Sequence, residues 1–391
     1  MDSWTYTHLG DRRAFLKRAG LTALPLLTGG RLLGQAQPDT VLIPREKDPD
    51  NLEFPFHTLN SFLTPNDRFY VRNHFAMPSI TAMTWRLKVV GAVRTPLELT
   101  YDQVLAWPAE TRTVTLECAG NGRAFLNPKA KGVQWELGAV STARWKGVPL
   151  AAVLEKAGVK PEAVDVVLEG ADRGELKNEI KPVGGPFPFA RGLPLEQARK
   201  SDVLLAYQMN DAVLPKEHGF PVRAIVGGWY GMASVKWLER IVVTDRPFLG
   251  YDQSIDYAIW ERTHGLPSLT PLTLMQVKAS IARPKAGEVV PATKDYRVHG
   301  AAWTGGDSTI AKVEISTDGG KNWSSAKLLG EEVPLAWRLW EYTWRTPASG
   351  KHNLLARATD KKGRVQVMQR DPDRRNYAIS HVLPTEVQVG T

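Results

Sequence analysis

The chain has a single cysteine, Cys118, among 391 residues. No intrachain disulfide can form, and no CxxC metal or redox pair exists. Long apolar runs are also missing. None reaches the ~18 residues that a membrane helix needs, so stable membrane insertion is not expected. No GxGxxG opens a helix, which leaves Gly227-Gly228 without a dinucleotide fingerprint. No CxxCH occurs, and no haem is expected in this chain. There is no internal repeat and no low-complexity segment. Lys and Arg are dispersed rather than clustered, so nucleic acid is not an expected partner.

What is present fits a globular chain of more than one domain. Apolar residues make up 43% and charged residues 23%, an ordinary balance for a folded protein, and 391 residues exceed one ordinary core. Thirteen Trp imply a large buried aromatic inventory. At the N-terminus, Asp11-Arg12-Arg13-Ala14-Phe15-Leu16-Lys17 forms a twin-arginine pattern. The short apolar stretch Ala19–Leu27 and a small-residue exit near Ala36 follow it. Residues 1–36 therefore read as an export signal, which places the mature protein in the periplasm or otherwise outside the cytoplasm. Removing them lowers the formal charge from +9 to about +6. That balance favours an anionic substrate, an anionic cofactor or an acidic electron carrier.

Residues 37–60 are polar and weakly periodic, and are expected to form an extended arm. From 61 to 260 short strands alternate with short helices. Strands are expected at 84–90, 114–118, 164–169, 203–208, 222–226 and 235–243. Helices are expected at 101–106, behind Thr100 as a cap, and at 150–157, stopped by Gly158. This is an α+β pattern with mixed sheets. Pro267 and Pro271 mark 261–275 as a linker. Residues 276–391 then read as an all-β, immunoglobulin-like sandwich without a disulfide. Its strands include 336–344 and 353–359, with a turn at Asp318-Gly319-Gly320.

Cys118 sits where the alternating strand of Thr113, Thr115 and Glu117 against Val114 and Leu116 enters a Gly- and Asn-rich turn. A soft donor at a strand end, beside backbone that a ligand can approach, suits a metal or a reactive centre. Read alone, a buried, inert thiol is the commoner case. Arg338 is also ambiguous. Alternation puts it on one face with Ala336, Trp340, Tyr342 and Trp344, where an arginine either stacks on rings or guards an anion site.

Four segments considered together are more specific. RFYVRNHFAMP (68–78), TLECAGNGR (115–123), GAVSTARWKGVP (138–149) and the run 202–238 closely resemble the molybdenum-cofactor domain of the sulfite oxidase family. GAAWTGG (300–306), VEISTDGGKNW (313–323) and AWRLW (336–340) resemble that family's dimerisation domain. The resemblance spans about residues 60–385. It implies a molybdopterin cofactor with Cys118 as the protein's thiolate ligand to the metal. It also implies cofactor-binding positions at Tyr70, Val71, Arg72, Asn73, His74, Asp172, His218, Arg223, Ser234, Val235 and Lys236. A substrate pocket of Arg72, Arg338 and Tyr257 is implied as well, together with a homodimer. One departure stands out. Some members carry two arginines after the CAGN motif, whereas here Gly122 precedes a single Arg123.

The expected activity is oxidation of sulfite to sulfate by oxygen-atom transfer. Electrons would leave to an external acceptor such as a c-type cytochrome. Two alternatives remain open: a reductase of S-oxides or related oxo compounds on the same cofactor, and a cofactor-free binding protein. Residues 276–391 speak against the first, because exported relatives of that kind typically lack a second domain. The intact set of cofactor positions speaks against the second.

Overall fold

The computed structural model describes residues 41–176, 185–292 and 294–390. The expected export signal, residues 1–36, lies outside the described residues. The protein is mostly β, with few helices. One sheet joins Glu110–Glu117, Val140–Pro149, Val203–Met209 and Ala212–Val213, with Arg223–Val226 also paired to Val203–Met209. A second joins Leu97–Thr100, Arg86–Gly91, Leu238–Thr244, Asp165–Gly174 and Phe187–Pro194. It is mixed, because Arg86–Gly91 runs parallel to Leu238–Thr244 while its other pairs are antiparallel.

The helices are short and locally encoded. Tyr101–Leu105 starts with a capping box, in which Thr100 Oγ1 accepts from the Gln103 N–H at 3.2 Å and Gln103 Oε1 accepts from the Thr100 N–H at 2.8 Å. Leu150–Ala157 ends at Gly158, whose φ of 67° suits a residue without Cβ. A third helix, Leu195–Ala198, carries no such sequence signal.

The C-terminal part is a β-sandwich. Lys278–Arg283, Tyr296–Trp303, Arg338–Trp344 and Lys327–Leu328 form one sheet. Val289–Pro291, Thr385–Gly390, Gly350–Asp360, Ile310–Ser316 and Ser324–Ser325 form the other. Val298, Val313, Trp340, Leu354 and Ala358 fill the space between them.

Two sequence expectations are corrected. Residues 41–60 are not a simple extended arm. Ile43–Lys47 and Asp50–Glu53 pair as a hairpin turned at Asp48-Pro49, and Phe54 and Phe56 enter the core. The polar hairpin residues hide this, because their partners are cross-strand or remote: Glu53 binds Arg45 across the hairpin and accepts the distant Glu136 and Gly138 N–H groups. Residues 261–275 are likewise not a bare linker. Ala258–Thr263 and Leu266–Pro271 form an antiparallel hairpin whose strands are regular despite both prolines. It is a two-stranded ribbon, so each proline occupies an edge strand, where a missing N–H is tolerated.

Alternation along Glu110–Glu117 decides how the two parts meet. Val114 and Leu116 enter the first core, yet Thr115 and Glu117 on the opposite face are also buried. The sandwich covers that polar face. Trp337 donates its N–H to Thr115 Oγ1 at 2.7 Å, and the Thr115 N–H reaches Leu335 O at 3.0 Å. Ala301, Trp303, Trp337, Tyr377 and Ala378 from the C-terminal part accordingly belong to the first core.

Candidate active site

The buried end of Glu110–Glu117 delivers Cys118 into a cavity of about 620 Å³, counting its open mouth. The loop after it is fixed by backbone bonds. The Cys118 N–H reaches Ala139 O at 2.8 Å, the Asn121 N–H reaches Cys118 O at 2.9 Å, and Asn121 Oδ1 accepts the Ala139 N–H at 3.1 Å.

The extended run Tyr70–His74 contributes every second residue. Tyr70, Arg72 and His74 line the cavity. Val71 and Asn73, which the resemblance also implied as cofactor-binding positions, do not line it. An extended chain alternates its side chains. The Val71 N–H is committed to Leu52 O at 2.8 Å. Asn73 acts one step back, with its N–H on Asn51 Oδ1 at 2.8 Å and its Oδ1 accepting from Lys236 Nζ.

Asp172, His218, Arg223, Ser234, Val235 and Lys236 all reach the same cavity. Arg223 is held by carbonyl oxygens, with Nη1 on His218 O at 2.9 Å and Nη2 on Ser234 O at 2.8 Å, and lies over the Trp145 ring. Burial pushes its pKa down to about 10, so it stays cationic at neutral pH. Gly219 makes the crowding possible. Its φ is +110°, and a Cβ there would sit 3.0 Å from the Arg223 Cβ and 3.1 Å from the Lys236 Cβ. His218 Nε2 bonds Asn66 O at 3.0 Å, and burial pushes its pKa down to about 3. Burial also raises Asp172, to about 7, against the pull of Lys236. Burial and the neighbouring Arg223 drive Lys236 well below its ordinary value.

Tyr257 closes the other side. Its hydroxyl accepts from Arg72 Nη2 at 3.2 Å and lies 2.6 Å from His74 Nε2. Burial raises the phenol above its ordinary pKa, opposed by the Arg72 charge. Burial, reinforced by Arg72, lowers His74. His74 is also stacked on Phe189, with ring centroids 3.8 Å apart.

Arg338 is the main correction. It does not line the cavity. The strand's own alternation explains this: Trp337 and Leu339 pack on the first core, whereas Trp340 and Trp344 face the sandwich core. Arg338 takes the sandwich side, half-buried, with no hydrogen-bond partner for Nε or Nη1 among the described residues. A different segment of the sandwich part approaches the site. Ala378 donates its N–H to Ala119 O at 2.8 Å, and Tyr377 lies 4.9 Å from Tyr257 with its hydroxyl on Asp256 Oδ1 at 2.7 Å. Arg375 Nη1 donates to Ile255 O, Asp256 O and Ala258 O, which ties down the turn before and after Tyr257. Arg123 is buried under that segment. Its Nη1 donates to Val133 O and its Nε to Asn376 O, and its guanidinium lies over Tyr377. Its charge is therefore spent on the fold rather than at the cavity mouth.

No group of three or more His, Cys, Asp and Glu placed to hold a metal ion exists among the described residues. A metal at Cys118 would therefore draw one thiolate from the protein and most of its shell from a cofactor. Against the single carboxyl of Asp172, the cavity presents Arg72, Arg223 and Lys236. That donor set fits an anionic pterin phosphate.

Residues 74–252 match the oxidoreductase molybdopterin binding domain, and residues 270–376 match the Mo-co oxidoreductase dimerisation domain. The chain is 38% identical over 339 residues to mitochondrial sulfite oxidase of Homo sapiens, covering 81% of this chain and 60% of that protein. It is 35% identical over 340 residues to sulfite oxidase of Gallus gallus, covering 81% and 71%. The chain belongs to the sulfite oxidase family. It is a molybdopterin oxidoreductase of that type. It also resembles nitrate reductase [NADH] 1 of Arabidopsis thaliana, at 33% identity over 74% of this chain and 33% of that protein. Among solved structures, the sulfane dehydrogenase SoxCD of Paracoccus pantotrophus superposes with a TM-score of 0.76, at 26% identity and over 93% of both chains. The chain spans about 60% of the length of several of its sulfite oxidase relatives.

Sequence reading missed Phe189, Arg191, Lys278, Trp303, Arg375 and Tyr377. Trp303 lay in the GAAWTGG segment without a role assigned to it, and Arg191 is a charged residue in the middle of Phe187–Pro194, a strand the sequence did not announce. Arg191 is fully buried, donating to Asp252 O at 2.6 Å and Leu272 O at 3.0 Å beside Tyr257.

Proposed function

We propose that this chain oxidises sulfite to sulfate at a molybdenum pterin centre and passes the electrons to an external acceptor such as a c-type cytochrome. The observation that carries the reading is one cavity in which the Cys118 thiol shares the lining with Arg72, His74 and Tyr257. Bound there, the molybdenum cofactor supplies two-electron redox chemistry and oxygen-atom exchange. Cys118 contributes a soft donor. Arg223, His218, Ser234 and Lys236 would hold the anionic pterin phosphate. Arg72 is a permanent cation suited to an oxyanion, and its hydrogen bond fixes the Tyr257 hydroxyl. The Tyr257–His74 contact gives a route for a proton between the phenol and the imidazole. Phe69, Phe189 and Trp237 line the cavity as aromatic walls and lower the polarity around its charged groups. The dimerisation domain supports a homodimer. Export by the twin-arginine route, followed by activity in the periplasm, completes the reading.

Purified protein is to be assayed with sulfite and ferricyanide or cytochrome c, alongside molybdenum quantification. Stoichiometric molybdenum with sulfite-dependent acceptor reduction is expected, and Cys118→Ser should lose nearly all turnover. Molybdenum-loaded protein that reduces S-oxides or nitrate but leaves sulfite untouched would overturn the substrate. Fully folded protein isolated without molybdenum from a host that makes the cofactor would overturn the cofactor.

A further inference from the structure

Glu117 immediately precedes Cys118 and is almost wholly buried, yet its carboxylate faces away from the cavity. Both of its oxygens are satisfied. Oε1 accepts from Lys278 Nζ at 2.9 Å and from Asn121 Nδ2 at 3.1 Å, and Oε2 accepts from Trp303 Nε1 at 2.8 Å. Lys278 Nζ also donates to Asn121 O at 3.1 Å, and its own side chain is buried to the same degree. Lys278 opens the strand Lys278–Arg283 and Trp303 closes Tyr296–Trp303, and these two residues sit opposite each other in the sandwich sheet. A buried ion pair of this kind is poor value for stability alone, because desolvation offsets much of the attraction. It is well suited to fixing geometry: three donors converge on the side chain next to Cys118, and one of them also grips the far end of the CAGN turn.

We propose that Lys278 and Trp303 are positioning residues for Cys118, so that the sandwich domain sets where the thiolate stands in the cavity. The inference rests on the proposed ligand role of Cys118 for its functional consequence. The geometry of the network is independent of that role.

Cys118 is the chain's sole thiol, so its alkylation reports on this loop without interference. Two variants of the full chain carry the test. Glu117→Gln with Lys278→Met removes the charge pair without leaving one partner uncompensated. Trp303→Phe keeps the ring and deletes one donor. In cofactor-free protein, the iodoacetamide reaction of Cys118 is expected to run roughly tenfold faster in the double variant and less so in Trp303→Phe, as charge-assisted restraints on the loop are lost. In molybdenum-loaded protein, the electron paramagnetic resonance signal of the half-reduced metal should change its g values and turnover should fall, with the KM for sulfite unchanged. A variant that keeps the wild-type alkylation rate and the wild-type spectrum, whether or not its melting temperature drops, would reduce the network to a purely structural role. If the double variant fails to fold, Trp303→Phe decides on the same two readouts. Cys118→Ser separates this inference from the assignment beneath it. An unchanged spectrum in that variant removes the ligand role, while the alkylation result stands by itself.

Discussion

His218 is neutral in the cavity because its imidazole is buried among cations, with Asn66 O taking one nitrogen. The unfolded imidazole titrates near 6.5, whereas the folded one waits until about 3. Between those values the unfolded chain binds a proton that the native chain refuses. Native stability is therefore lost as pH falls from 6.5 toward 3, by about 2 kcal/mol between pH 7 and 5. Asp172 works in the opposite sense. Its folded pKa is raised from 3.8 to about 7, so the native state holds the extra proton between those values and gains stability as pH falls through that window. Replacing only the histidine isolates its share. Cofactor-free His218→Gln should lose less stability than wild type when urea midpoints are compared at pH 7 and pH 5. Equal losses in the two proteins would mean that His218 is not the group refusing the proton.

At the scale of elements, the parity of a strand decides which side chains can act. Tyr70, Arg72 and His74 reach the cavity while Val71 and Asn73 turn away, and Trp337 meets the first core while Arg338 turns to the sandwich. Steady-state kinetics test this directly. Arg72→Met deletes a charge-assisted contact worth roughly 1.5–3 kcal/mol, so kcat/KM for sulfite should fall by about one to two decades. Arg338→Met should leave KM and kcat near wild type and change only the melting temperature. A strong rise in KM in Arg338→Met would return that residue to the substrate site. The motif words disclosed most of the cavity, because Cys118, His218, Arg223 and Lys236 each sit in short distinctive runs. Local signals also disclosed the two capped helices and several strands, among them 203–208 and 222–226, but not Val140–Pro149, Phe187–Pro194 or Lys278–Arg283. They could not say which face of a strand meets which neighbour. Arg338 shares the Trp340 face, as alternation indicated, but nothing in the chain tells that this face is the sandwich interior. The hairpin at 43–53 and the ribbon at 258–271 were obscured for a related reason: their partners are cross-strand or remote rather than periodic.

For the molecule as a whole, composition and length argue for two domains, and two family segments match. The packing nevertheless makes them interdependent. The buried polar face of Glu110–Glu117 needs Leu335, Trp337, Lys278 and Trp303 to satisfy Thr115 and Glu117. The first core needs Trp303, Trp337, Tyr377 and Ala378 to close. Separating the parts would break the Glu117–Lys278 pair and its hydrogen bonds and expose Trp303, Trp337 and Tyr377 to water, at roughly 1.5–3 kcal/mol for each large apolar side chain uncovered. No residue of Glu110–Glu117 carries a sequence signal for partners some 160 to 220 positions away, so this coupling was invisible before the fold was known. It predicts one cooperative transition rather than two. Urea unfolding of cofactor-free protein, followed by tryptophan fluorescence and by far-ultraviolet circular dichroism, should give coincident curves. A chain ending at residue 275 should be insoluble or bind no pterin. Two resolved transitions, or a soluble truncated chain that still takes up the cofactor, would show that the sandwich rides on the first domain without completing it.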